Sequence, residues 1–377
     1  MVRAFEQGPI RPPSEAYSLL LRLTRGCPWN KCEFCHTYKN ITFSRRTVEE
    51  IKQEIRNIKE LATRLQEASW SLGLGGRMDQ RVVLAVLKQT GIDCTQLALW
   101  LSRGAKTVFL QDADCLIMKT EELLEVLQFL TETFPSVERI TTYGRAKSLL
   151  RKSVDELKKL KEAGIKRIHT GLESGCDVVL DYVRKGARAE EYIEAAHRVK
   201  EAGIEQCEYI ILGLGGRRWS REHALKTAEV LSAINPEYIR VHTLAVGPDM
   251  PLWKKVQSGD FERLSEDEII QEERLLLEHL EGIRSQFICI HSLNLLNEIN
   301  GRLPEDKEEM LGIIDAYLAL PEEERWNYKL GRRAMAYQCL ADMQNKTIYQ
   351  QVQAAVENLK AAGRLEEALE ELRRRCV

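Results

Sequence analysis

No stretch of this chain approaches the roughly 18 consecutive apolar residues of a membrane-spanning helix. The opening residues, MVRAFEQGPIRPP, hold no apolar segment followed by a small-residue cleavage site. The reading is of a cytoplasmic protein without a membrane partner. An excess of one charge is also missing: 55 Lys and Arg stand against 57 Asp and Glu, a formal net charge of -2. No global field therefore advertises nucleic acid as a partner. The seven histidines include no pair spaced i and i+4 as metal ligands on a helix. Seven of the ten cysteines are scattered singly, which excludes a secreted disulfide framework and suits small buried hydrophobes. The other three, Cys27, Cys32 and Cys35, crowd into GCPWNKCEFCHTYK. Such clustering in a reducing compartment points to metal or redox chemistry.

With 44% hydrophobic and 30% charged residues, 377 positions can bury one large core and leave material for an appendage. Six apolar runs read as strands, at 17–23, 107–112, 138–144, 166–172, 207–213 and 238–244. Helical periods separate them. In the first, Thr47 and Glu50 form a capping box and Ile51, Ile55, Ile58, Ala62 and Leu65 share one face. Ser153 and Glu156 make a second box. The string KEAGI occurs at 161–165 and 200–204, one αβ unit apart, with Gly164 as a left-handed helix stop. The expected fold is α/β, a partial (β/α)6 TIM-type barrel with its site at the C-terminal strand ends. Residues 68–105 form an inserted helical element, and LGLGGR at 72–77 reads as a turn, not a phosphate loop. The core is expected to span 1–285. Residues 286–377 then form a helical C-terminal extension whose RRR, 373–375, is a solvated helix end.

The three cysteines follow the first strand and precede the first capped helix, where αβ proteins place chemistry. Two metals fit them on residue type. A zinc site would take His36 as a fourth ligand, against the strain of its adjacency to Cys35. A 4Fe-4S cluster would use the three thiolates and leave one iron open.

Several further segments bear on that choice. GLESGCDVVLDYVRKG at 171–186, YIILGLGG at 209–216 and YIRVHTLAVGPDMPLW at 238–253 follow the cysteine loop in order. Together they resemble the radical SAM superfamily, in the branch of oxygen-independent coproporphyrinogen oxidases and methylthiotransferases. Two departures stand out. The cysteine motif is C-x4-C-x2-C where the family has C-x3-C-x2-C, and QDAD at 111–114 replaces a GGE-like segment.

The resemblance implies a 4Fe-4S cluster on Cys27, Cys32 and Cys35, with S-adenosylmethionine (SAM) on the fourth iron. It implies reductive cleavage of SAM to methionine and a 5'-deoxyadenosyl radical that takes hydrogen from an unidentified substrate, in an oxygen-sensitive enzyme served by a flavodoxin or ferredoxin. By the same resemblance, SAM contacts fall to Phe34, Asp112, Arg145, Glu173, Ser174, Gly213, Gly215 and Arg240. Cys115 and Tyr143 are hydrogen-donor candidates. The segment at 290–311 becomes a substrate cap. The competing readings are a non-catalytic iron-sulfur binding or transfer protein and a zinc-stabilised binding module.

Overall fold

The computed structural model describes residues 5–375. They divide into two compact units. The first comprises residues up to Asn30, Thr37–Thr170 and Glu194–Gln206; the second comprises Lys31–His36, Gly171–Ile193 and Cys207 onward.

Strands β1 (Leu19–Arg22), β2 (Thr107–Gln111), β3 (Arg139–Tyr143) and β4 (Ile165–Glu173) build the first unit. They run parallel in that order, with Leu20 opposite Phe109, Val108 opposite Ile140 and Thr142 opposite Ile168. Leu19 to Leu21 and Val108 to Leu110 are buried without alternation, as strands covered on both faces should be. Helix α1 (Val48–Ser71) starts at the expected Thr47–Glu50 box and buries the expected isoleucine face. It runs past the expected start of the insertion, which otherwise consists of α2 (Gln80–Thr90) and α3 (Thr95–Ser102). The buried Trp100 indole donates to the Thr107 carbonyl at 2.8 Å and pins α3 to the start of β2. Between α1 and α2, Gly73, Gly75 and Gly76 all have positive φ and nothing near them. LGLGGR at 72–77 is a turn, as read.

The chain passes between the units inside β4, inside helix Ala189–Glu201 and inside β5 (Glu205–Leu212). In the second unit β5 pairs in parallel with β6 (Tyr238–Thr243), β6 in parallel with β7 (Gln286–Ile288), and β7 antiparallel with β8 (Asn300–Arg302). Two short strands thus open the segment expected to be purely helical. Among the described residues four α-helices follow these strands within the segment, ending with Leu365–Arg374. A core of Cys176, Val179, Val183, Leu214, Leu244, Leu252 and Phe261 lies in this unit, with Phe34 packed against it. Both KEAGI copies end their helices at left-handed glycines, Gly164 (φ 110°) and Gly203 (φ 71°). All six expected strands are present and alternate with helices, so the class is α/β with a mostly parallel sheet. Among the described residues no helix is long and apolar enough to cross a membrane.

The tightest backbone approach is at Gly175, whose N–H donates to Thr227 Oγ1 at 2.9 Å. A Cβ there would stand 2.3 Å from the Lys226 carbonyl oxygen and 2.7 Å from Thr227 Cα. Gly175→Ala is expected to cost about 1–3 kcal/mol, the usual range for overpacking. A lowered urea midpoint at constant slope is the expected readout, and an unchanged midpoint would refute the steric account.

Candidate functional site

The cysteine loop is tied into each unit separately. In the first, the Gly26 N–H donates to Asp112 Oδ2 at 2.8 Å. The same oxygen takes Arg22 through Nε at 3.0 Å and Nη2 at 2.6 Å. Asp112 is fully buried, and burial outweighs the Arg22 and Gly26 contacts, so its carboxyl titrates above the usual aspartate range. Its other oxygen, Oδ1, has no hydrogen-bond partner and lies against Gly8, where a Cβ would come within 1.9 Å. Glu6 closes the arrangement by pairing with Arg22 at 2.9 Å and Arg25 at 2.8 Å.

The extra residue between the first two cysteines has a local solution. Asn30 adopts φ 47°, the left-handed region that Asn tolerates better than most residues. Its N–H points to Cys27 Sγ at 3.5 Å and its side-chain amide donates to the Tyr38 carbonyl at 2.6 Å. Lys39 Nζ donates to the Asn30 carbonyl at 3.0 Å. The bend is therefore held from both sides.

In the second unit, the Glu33 N–H donates to the Val183 carbonyl and the Leu252 N–H to the Glu33 carbonyl, each at 2.9 Å. The Glu33 carboxylate pairs with Lys255 at 2.7 Å. Lys185 Nζ lies 5.8 Å from the Phe34 ring centroid, within cation–π range. All three cysteines are half-buried and none is in a disulfide. Among the described residues no three His, Cys, Asp or Glu side chains are gathered into a ready metal-ligand set. The fit to a cluster therefore rests on the donors: three thiols on one loop, the ligand chemistry that iron-sulfur clusters take.

At the end of β4, Glu173 has φ 63° and pairs with Lys185 at 2.8 Å. Burial works against the Lys185 charge, but Glu173, together with Tyr192 and Cys32, more than offsets it and the ammonium pKa is raised. Glu208 on β5 is buried, with Oε2 unpartnered. Burial first, and the Glu173 charge second, push it up to about 8. Ser174 is fully buried; its hydroxyl meets His223 Nδ1 at 2.8 Å and accepts the Cys176 N–H at 3.0 Å. Gly213 (φ 79°) donates its N–H to Glu272 Oε1 at 2.6 Å. Gly215 packs on Trp219 and His223, its absent Cβ 3.1 Å from the Trp219 backbone. Arg240 is nearly buried on β6.

In the first unit the Arg145 guanidinium lies 5.4 Å from the Trp29 ring of the cysteine loop. The Arg145 N–H donates to Asp114, whose carboxyl burial lifts to about 6. Tyr143 stacks edge-on against Phe109 at 5.0 Å and His169 at 5.9 Å. Cys115 is fully buried, its thiol donating to the Gln111 carbonyl at 3.1 Å.

A cavity of about 380 Å³ opens in the second unit beside His36, the residue after Cys35. Its wall is the β6 exit at 244–250 with Trp253, and its rim includes Arg263, Glu370, Arg373 and Arg374. Among the described residues, Leu293 is its one lining residue from the expected cap at 290–311. Arg373 corrects the reading of the chain end: its side chain is 18% exposed and lines this cavity, whereas Arg374 and Arg375 are 67% and 69% exposed. Lys185, Glu208, Glu33 and Arg373 were absent from the sequence-derived site. Only Lys185 had a signal, its place in the VRKG end of the GLESG segment.

Comparison with known proteins gives a partial match to one family. The profile of the radical SAM superfamily matches residues 93–228. The chain is 26% identical over 175 residues to the uncharacterized protein MJ0486 of Methanocaldococcus jannaschii, covering 46% of this chain and 52% of that one. It is 24% identical over 156 residues to the heme chaperone HemW of Bacillus subtilis, covering 41% and 40%. A solved structure of the cobalamin-dependent SAM radical enzyme OxsB, with aqua-cobalamin and SAM bound, superposes with a TM-score of 0.46 at 13% identity, covering 94% and 58%. The matched part spans about half the length of the first curated relatives.

The buried carboxyls leave a pH signature. Between pH 4.5 and about 8 the folded chain keeps the Glu208 proton that the unfolded chain releases, so stability falls as pH rises through that window. Glu272 and Glu273, each lifted to about 7 by burial, add to the slope below pH 7. Glu208→Gln is expected to flatten the urea midpoint between pH 7 and 8 and raise it at pH 8. An unaltered slope there would show that Glu208 is ionised in the fold.

Proposed function

We propose that this chain, whose residues 93–228 match the profile of the radical SAM superfamily, is a member of that superfamily and an enzyme that binds a 4Fe-4S cluster on Cys27, Cys32 and Cys35 and cleaves SAM reductively. The observation that carries the reading is one loop with three half-buried thiols, none in a disulfide, whose first residue is fastened by the buried Asp112. When bound, the cluster supplies the electron that splits SAM into methionine and a 5'-deoxyadenosyl radical.

The side chains divide the remaining work. Asp112, neutralised by Arg22, fixes the entry of the loop; Asn30 sets its bend; Glu33 and Lys255 fix its exit. Glu173, paired with Lys185, offers carboxylate oxygens to the ribose hydroxyls or ammonium of SAM, with Ser174 beside it in sequence. Glu208, held protonated at neutral pH, is a hydrogen-bond donor in the same interior. Phe34 and the Gly213–Gly215 turn present surface to the adenine, and Arg145 and Arg240 supply positive charge for the SAM carboxylate. Cys115 and Tyr143 are the hydrogen donors of this scheme. A small flavodoxin or ferredoxin in the cytoplasm delivers the electron. In this reading a catalytic core reaches residue 285 and a substrate-side extension begins at 286.

Anaerobic protein reconstituted with iron and sulfide, then given dithionite and SAM, is expected to produce 5'-deoxyadenosine. Cys27→Ala, Cys32→Ala and Cys35→Ala should each lower bound iron and reduce the product to the no-enzyme background. Failure of the fully loaded parent to form 5'-deoxyadenosine would overturn the enzymatic reading. Zinc without acid-labile sulfide in anaerobic material would favour a binding module.

A further inference from the structure

The cavity beside His36 has a composition that selects its ligand. Leu244, Val246, Met250, Trp253 and Leu293 give it an apolar wall. Its charged rim is unbalanced, three guanidinium groups (Arg263, Arg373, Arg374) against two carboxylates (Asp249, Glu370). Glu370 is shared. Arg263 Nη1 hydrogen-bonds it at 2.8 Å, while Arg374 stands 3.7 Å and Arg373 3.9 Å away. Among the described residues the other carboxylate near Arg373 is Glu266, also at 3.9 Å, and Glu266 is already taken by Arg333 through Nε at 2.8 Å. Arg373 is therefore a largely buried cation whose contacts with carboxylates, among the described residues, lie beyond hydrogen-bond length.

A guanidinium presents a planar fork that matches a carboxylate in bidentate fashion. The excess of one positive charge suits a monoanion. The cavity volume falls in the range of small-molecule sites, where apolar walls supply contact and a few polar groups fix orientation.

We infer that this cavity is the substrate pocket and takes a small molecule with an apolar body and a single carboxylate, the carboxylate seated on Arg373 with Arg374 beside it. The inference rests on the radical SAM reading for the word substrate, and on the cavity alone for the ligand chemistry. His36, directly after Cys35, makes one wall of the pocket part of the cysteine loop.

The test is calorimetric titration of the full-length reconstituted protein with 3-phenylpropionate, 3-phenylpropanamide and 2-phenylethyl phosphate at low salt. The acid is expected to bind about tenfold more tightly than the amide, equivalent to about 1.4 kcal/mol. Arg373→Gln should erase that preference. Arg374→Gln, at a position two-thirds exposed to solvent and so tolerant of replacement, should shrink it even if Arg373→Gln proves unstable. Equal binding of acid and amide by the parent would overturn the inference, as would tighter binding of the phosphate ester. So would a preference left intact in Arg374→Gln, or in an Arg373→Gln variant that melts like the parent. The two readings fail separately. An acid preference in protein that forms no 5'-deoxyadenosine keeps the pocket and removes the radical chemistry; 5'-deoxyadenosine without an acid preference does the reverse.

Discussion

A single buried carboxylate sets where the cysteine loop begins. Asp112 lies at the end of β2, out of solvent, and one of its oxygens binds both the Arg22 guanidinium and the Gly26 N–H. A lone ionised carboxylate in that position would be prohibitively costly, and Arg22 is what makes it tolerable. Removing either charge would strand the other. Because Gly26 precedes Cys27, the pair transmits the position of the parallel sheet to the first thiol. A residue expected from the resemblance to touch the cofactor also holds the loop, with Gly8 packed over its remaining oxygen.

The second unit uses the same device with different partners. Backbone bonds from Glu33 to Val183 and Leu252 and the Glu33–Lys255 pair hold residues 31–36 to helices that carry its core. Further along, Glu272 accepts the Gly213 N–H and the Ser220 hydroxyl, and His223 bridges Ser174 and the Ile211 carbonyl. The ends of β4 and β5 are thereby cross-linked by buried polar groups, which specify geometry because each would be costly if left unpaired.

What could be read in advance followed from local rules. Apolar runs marked the strands, the Thr47–Glu50 and Ser153–Glu156 boxes marked helix starts, and Gly164 marked a stop. Each depends on residues within a few positions of one another. The cysteine loop was legible for the same reason. What stayed hidden is set by contacts across long sequence separations: Arg22 and Gly26 meet Asp112 from about ninety residues away, Glu33 meets Lys255, and Arg263 meets Glu370. Arg373 shows the limit well. In sequence it belongs to a basic helix end that solvent should cover, and only tertiary packing turns it inward while Arg374 and Arg375 remain outside.

The buried carboxyls also bear on how the molecule behaves in bulk. The formal charge of -2 counts every glutamate as ionised. Burial keeps Glu208 largely protonated at neutral pH and Glu272 and Glu273 partly so. The folded protein is consequently closer to electroneutral than its composition indicates. Near pH 7 little net repulsion then keeps copies apart, and dispersal in water falls to the mixture of opposite charges on its surface.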